Sequence, residues 1–270
     1  MGYLDSCVLQ YKLNENAANS TVVDSVGSHT GSAAELDKTP VNTSVLSSVG
    51  KLPAGTPLAY DFDKQYYIYT PSTSDITFGD GTNDSPFSIS LWVYYEVVAT
   101  QSQMVYKGTS SDWEYNLAVM NAPPGYPGET YVQCSLKDNS ESAVAARAGY
   151  KIGWNFPIET WTHVVATYDG RGGNSAYDGI EIYVNTSASV NQRSSSGGTY
   201  VAMEDTGENL GVGSKDDTGN FSTSGKLDDV RIYNVELTQT QINELYNGGA
   251  GTEAGIGGAT TFVMPTNQSR

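Results

Sequence analysis

The stretch from Gly225 to Tyr246, GKLDDVRIYNVELTQTQINELY, decides how this chain is read. In its first half Leu227, Val230, Ile232 and Tyr233 are spaced among charged residues, the pattern of a sheet strand. Asp228 and Asp229 are adjacent on that strand and so are expected on opposite faces. The second half carries a complete helix-start signal. Thr238 stands at an N-cap with Gln241 three residues on, the spacing of a capping box, while Leu237 and Ile242 are placed for a hydrophobic staple. Ile242, Leu245 and Tyr246 then share one face, and Asn247-Gly248 supplies a stop. A strand running straight into a short capped helix is the expectation.

Working outward, strand patterns dominate. Phe87–Tyr95 (FSISLWVYY) puts Phe87, Ile89, Leu91, Val93 and Tyr95 on one face and Ser88, Ser90, Trp92 and Tyr94 on the other. Gln103–Lys107 leads into Gly108, and Glu114–Met120 and Tyr131–Leu136 flank the proline–glycine loop NAPPGYPGE. Trp161–Tyr168 (WTHVVATY) precedes Asp169-Gly170, followed by strands at Ile180–Asn185 and Asn209–Ser214. Upstream, residues 8–13 form a first strand, and Val22–Gly27 leads into a polar turn. Leu58–Tyr69 reads as two strands about a turn at Asp63-Lys64-Gln65. Residues 31–57, rich in Ser, Thr, Pro and Gly, read as a long loop or insertion.

These phrases, in order from about Val8 to Tyr246, resemble the laminin-G-like domains of the concanavalin-A-like lectin–glucanase group, on its non-catalytic branch. FSISLWV and WTHVVATYDG carry most of the resemblance, and the strand-plus-capped-helix is how such domains close. One departure is Lys64, where the similar family phrase has glycine. The resemblance implies an all-β fold, an antiparallel two-sheet jelly-roll sandwich with one short C-terminal helix. It places the domain at residues 1–247, leaving 248–270 as a glycine-rich tail, either folded back on the domain or serving as an attachment segment.

The resemblance also implies a structural Ca²⁺ at the sandwich edge. Asp24, carbonyls near Gly27 and His29, and Asp228 from the last strand would supply the oxygens such an ion takes. The alternative is that Asp24 caps a turn and Asp228 bonds neighbouring amides. For glycan binding, Trp113, Tyr126, Trp154 and Tyr177 stand in or beside predicted loops, where such scaffolds place recognition. The alternative is that these rings pack under the loops.

Composition sets the outer limits. With 14 basic and 30 acidic residues the net charge is −16, which repels phosphate backbones and argues against nucleic acid as a partner. No run approaches the apolar length of a membrane span. Cys7 and Cys134, far apart and outside any CxxC, exclude a zinc site and are expected as free buried thiols rather than a pair. Retaining glycosidases need two carboxyls about 5–5.5 Å apart; no well-defined strand offers acidic residues at i and i+2, and Asp61 and Asp63 fall at a turn. The resemblance makes His163 a structural residue beside Trp161, and no triad or HExxH is present.

Two kinds of function remain from these readings. The first is a non-enzymatic external structural or adhesion protein with a lectin-like sandwich. A phage-like virion decoration or appendage protein fits this, because the N-terminus reads without a signal peptide. Its partners would be copies of itself or other subunits, held through the C-terminal tail. The second is a secreted or cell-surface module binding glycans. A glycoside-active enzyme is a distant third.

Overall fold

A computed structural model describes residues 6–52, 57–97, 101–121, 129–140, 144–153, 156–190, 192–214 and 221–254. In chain order the strands are β1 (Cys7–Tyr11), β2 (Thr21–Val22), β3 (Gly31–Glu35), β4 (Ser47–Leu52), β5 (Leu58–Asp61) and β6 (Tyr66–Thr70). There follow β7 (Phe87–Tyr95), β8 (Gln101–Gly108), β9 (Trp113–Asn121), β10 (Thr130–Asp138), β11 (Val144–Gly153) and β12 (Thr162–Tyr168). The last are β13 (Ile180–Val184), β14 (Ser187–Ala188), β15 (Gln192–Ser196), β16 (Leu210–Val212) and β17 (Gly225–Tyr233). A one-turn helix α1 (Thr43–Leu46) precedes β4, and α2 (Gln239–Tyr246) follows β17.

The strands form two antiparallel sheets. One runs β14-β13-β12-β7-β17-β5-β4, with β1 also on β17, and the other runs β15-β11-β10-β9-β8-β16-β6-β3-β2. The sandwich expected from the alternation is what forms. Phe87, Ile89, Leu91, Val93 and Tyr95 all face the core between the sheets, opposite Val105, Leu117, Val119, Val132 and Leu136. Truncating one of these to alanine is a change of about 2–5 kcal/mol. The other face of β7 is buried too, because α2 and the C-terminal segment lie over it. Ser88 Oγ donates to the Val235 carbonyl and accepts from the Leu237 amide, and Trp92 stacks on Tyr246 at 5.7 Å.

Helix α2 is built as its sequence specifies. The Thr238 amide donates to Gln241 Oε1 at 2.7 Å and the Gln241 amide donates back to Thr238 Oγ1 at 3.4 Å. Leu237, Ile242 and Leu245 join Val165 and Tyr233 in a second, smaller apolar cluster outside the eight-stranded sheet. Asn247 ends the helix in the left-handed region at φ 46°.

Two local expectations are corrected. Residues 31–57 are not simply a long loop: β3 pairs with β6, and β4 pairs with β5, so the segment feeds one strand to each sheet. The two aspartates of β17 do not simply alternate, because Asp229 sits at φ 48° within a bulge between Asp228 and Arg231. Both are buried, and each has its own partners. At the turn between β5 and β6, Lys64 takes φ 59°, the left-handed conformation in which glycine is at ease.

Cys7 and Cys134 are free thiols. Burial pushes both up to about 12, so the sulfurs stay protonated.

Candidate functional site

The strands β8, β9, β10 and β11 lie side by side, and their outward faces can be read across the register. Opposite Tyr106 stands Asn116, then Ser135, then Arg147. The next row is Gln103, Ala118, Gln133 and Gly149. Gln103 and Tyr106 are three apart and would ordinarily point to opposite faces. A register shift between Gln103 and Val105 admits Met104 as an extra residue, so both point outward while Met104 and Val105 enter the core. Within the second row the small side chain of Ala118 leaves a low point between Gln103 and Gln133.

The result is a groove of about 200 Å³ lined mainly by uncharged polar side chains together with Arg147, with Tyr106 and Trp113 at one side and Phe221 at the rim. The two rings are 5.9 Å apart and tilted, and Lys137 Nζ lies 6.0 Å from the Trp113 ring. Phe221 is 39% exposed at φ 69°, and its carbonyl accepts from the Gln103 amide at 2.7 Å. Thr223 Oγ1 donates to the Gln103 carbonyl at 2.8 Å, so the backbone of Gln103 is held from both sides.

Gln103 is 1% exposed, and among the described residues neither its Oε1 nor its Nε2 has a hydrogen-bond partner. The Oδ1 of Asn116, in the neighbouring row, is also buried and unpartnered. A buried polar group left unpaired costs about 1–3 kcal/mol. Beside them Gln133 Nε2 donates to Ser135 Oγ at 2.9 Å. Arg147 Nη1 donates to Ser196 Oγ at 2.6 Å, and burial alone moves its pKa, downward. No carboxylate is among the lining residues.

Of the aromatic residues singled out by sequence, Trp113 lines this groove. Tyr177 is elsewhere, packed against the main core with its carbonyl bonded by Arg193 Nη1. Tyr126 and Trp154 lie outside the described residues. Sequence reasoning missed Gln103, Asn116, Gln133, Ser135 and Arg147. The signal was the run of uncharged polar residues on the outward positions of β9 and β10, but the bulge at Met104 hid the contribution of β8.

The residues expected around calcium are not gathered into one ligand sphere. Asp24 Oδ1 accepts from the amides of Gln10 and Val26 at 2.9 and 3.1 Å, and Oδ2 from that of His29 at 3.0 Å. Gly27 lies against this carboxylate, where a Cβ would come within 2.6 Å of Asp24 Oδ2. The His29 carbonyl accepts the Tyr11 hydroxyl. Asp228 instead turns to β4, where Oδ2 accepts from the amides of Lys51 and Leu52 at 2.7 and 2.8 Å. Among the described residues no group of three or more His, Cys, Asp or Glu is placed to hold a metal. His163 is buried against Trp92, with Nε2 3.0 Å from Ser90 Oγ, and burial pulls its pKa down to about 3.

The tail expected from residue 248 begins as part of the domain. Gln10 Nε2 donates to the Glu253 carbonyl at 3.2 Å, Asn14 Nδ2 donates to Glu253 Oε1 at 2.6 Å, and Gly251 lies against Leu52 and Trp92. Residues 255–270 lie outside the described residues.

Comparison with known proteins fits this architecture. The fourth domain of AbnA, an extracellular arabinanase of Geobacillus stearothermophilus solved with arabinotriose, superposes with a TM-score of 0.54 at 18% identity, covering 88% of this chain and 96% of that one. The binding domain of botulinum neurotoxin serotype G gives 0.55 at 12% identity over 90% of this chain and 51% of that one. The receptor-binding domain of botulinum neurotoxin D gives 0.55 at 14% over 92% and 54%. The chain thus spans about half the length of the toxin domains, and at these identities the likeness is one of fold. No curated protein matches the sequence. The family model for the concanavalin A-like lectin/glucanase superfamily matches residues 63–243, and the chain belongs to that superfamily.

Proposed function

We propose that this lectin-like sandwich is a non-catalytic carbohydrate-binding module that reads glycan through the groove across β8–β11. The side-chain amide of Gln103 carries the reading. It is buried on the groove floor with donor and acceptor both unused, beside a tryptophan and a tyrosine. Side-chain amides suit neighbouring sugar hydroxyls, because one group offers a donor and an acceptor together. The apolar face of a sugar ring stacks on aromatic rings such as Trp113, and a few convergent polar groups then fix its orientation. The absence of carboxylates from the lining, among the described residues, is what a binding groove needs and a glycosidase cleft could not use.

A module of this kind works outside cells, where glycans are displayed. An appendage of a phage-like particle and a secreted or cell-surface protein are two carriers for it, and the groove chemistry is the same in both.

The test is a glycan array followed by titration calorimetry of the best ligand against wild type, Gln103→Ala and Trp113→Ala. Both variants are expected to weaken binding at least about tenfold while keeping the wild-type circular dichroism spectrum. Binding that neither variant disturbs, or an array with no hits, would overturn the reading.

A further inference from the structure

Among the described residues that line the groove one is charged, and it is a cation with no carboxylate beside it. Of the four arginines within the described residues, three pair with carboxylates: Arg171 with Asp169, Arg193 with Glu181 and Arg231 with Asp229. Arg147 does not. Its hydrogen bond goes to the neutral hydroxyl of Ser196, through Nη1. In a chain with 30 acidic residues against 14 basic ones, a partly buried guanidinium without a carboxylate is against the odds of composition. Its place is also specific. Ser135 stands directly opposite on β10 and Ser194 opposite on β15, both too small to cover it. Arg147 therefore closes the row that begins at Tyr106 and Asn116, on the side of the groove away from the aromatic rings.

We infer that the ligand of this groove is an anionic sugar whose acid group pairs with the Arg147 guanidinium. This rests on the groove being a glycan site. A guanidinium presents its N–H groups as a planar fork that matches a carboxylate or a sulfate two bonds at a time. With Nη1 engaged by Ser196, the Nε and Nη2 edge remains for the ligand. The remaining positions divide the rest of the sugar: the Gln103 and Asn116 amides take hydroxyls, and Trp113 takes the ring face. The chain's net charge of −16 would ordinarily repel such a ligand, so attraction must act at short range, from Arg147 in the lining. Desolvation of Arg147 by its surroundings raises the strength of that short-range pairing.

The experiment is calorimetry at low salt with matched sugars: a neutral hexose oligomer, the same oligomer oxidised to uronic acids, and a sulfated counterpart. Wild type is compared with Arg147→Gln and Arg147→Lys. At least about tenfold tighter binding of an acidic oligomer than of the neutral one is expected. Arg147→Gln should bring the acidic ligand down to the level of the neutral one, and Arg147→Lys, which keeps charge but loses the fork, should fall between. Raising NaCl should narrow the preference. The uronate and sulfate arms identify which acid group is read. Neutral sugar bound as tightly as acidic, with Arg147→Gln weakening both alike, would overturn the inference and leave the glycan site standing. No binding of any of the three by a folded protein would remove both.

Discussion

Arg231 Nη1 donates to the carbonyl oxygen of Ala254 at 3.0 Å, tying the last strand to a segment beyond the closing helix. The same guanidinium pairs with Asp229 at 2.9 Å, and its Nη2 also donates to the Thr252 carbonyl. Arg231 is 1% exposed. Residues 248–254 are therefore what completes the hydrogen bonding of a buried charge. A chain ending at Asn247 leaves those donors facing a gap, and each lost bond to a charged group is about 1.5–3 kcal/mol. Thermal unfolding should show that version melting well below one ending at Ala254. Equal midpoints would mean the segment contributes nothing.

Lys107 and Glu114 form an ion pair at 2.9 Å with both side chains 0% exposed. Lys107 Nζ also donates to Ser72 Oγ at 2.8 Å, and Glu114 Oε1 accepts from Thr206 Oγ1 at 2.9 Å. Removing one partner strands the other charge in the interior. Glu114→Ala should cost about 3–5 kcal/mol in chemical denaturation. The double change Lys107→Met with Glu114→Leu should recover much of that loss, since no charge is left behind. A double variant as unstable as the single one would show that the pair itself, rather than the orphaned lysine, holds this corner.

Asp228 gives a pH dependence. Burial pushes its carboxyl up to about 8, against the opposing amides of Leu52 and Lys51 and reinforced by Asp229 and Glu253. The unfolded chain releases that proton near 3.8, so between there and about 8 the folded state binds more proton. Stability from this group thus falls as pH rises through that window, by at most about 1.4 kcal/mol per pH unit, and levels off above it. Asp228→Asn keeps an oxygen for the two amides and removes the titration. Stability measured from pH 5 to 9 should decline in wild type relative to the variant. Parallel curves would place the proton elsewhere.

The carboxylate of Asp24 is already satisfied by three backbone amides. Millimolar calcium and an excess of chelator should therefore leave the melting temperature within about a degree of each other. A ligand that binds only the folded state must raise it, so a calcium-dependent rise of several degrees would reveal an ion at this edge.

Much of the sandwich was legible because apolar–polar alternation marks a strand, as in β7, where the apolar side enters the core and the other side lies under α2 and the C-terminal segment. The capping box at Thr238 and Gln241 was legible because it is a local code. Strands β3 and β4 were not, because their small polar residues take strand form only through pairing with β6 and β5. The Asp228–Asp229 bulge escaped for the opposite reason: strict alternation was assumed where the backbone turns left-handed. Trp113 stood out in the sequence as one of four aromatic residues in or beside predicted loops. Its groove partners Gln103, Asn116 and Arg147 come from three different strands, and only register, with the Met104 bulge, puts them together.

The two thiols have a consequence for where the domain can operate. Cys134 is enclosed in the core, Cys7 is partly covered, and neither presents the thiolate that oxidants and thiol–disulfide exchange attack. The fold draws no strength from a covalent cross-link, and its sulfurs offer little to form one. Folding therefore waits on no oxidation step: a reducing compartment withholds nothing that this fold's two cysteines need.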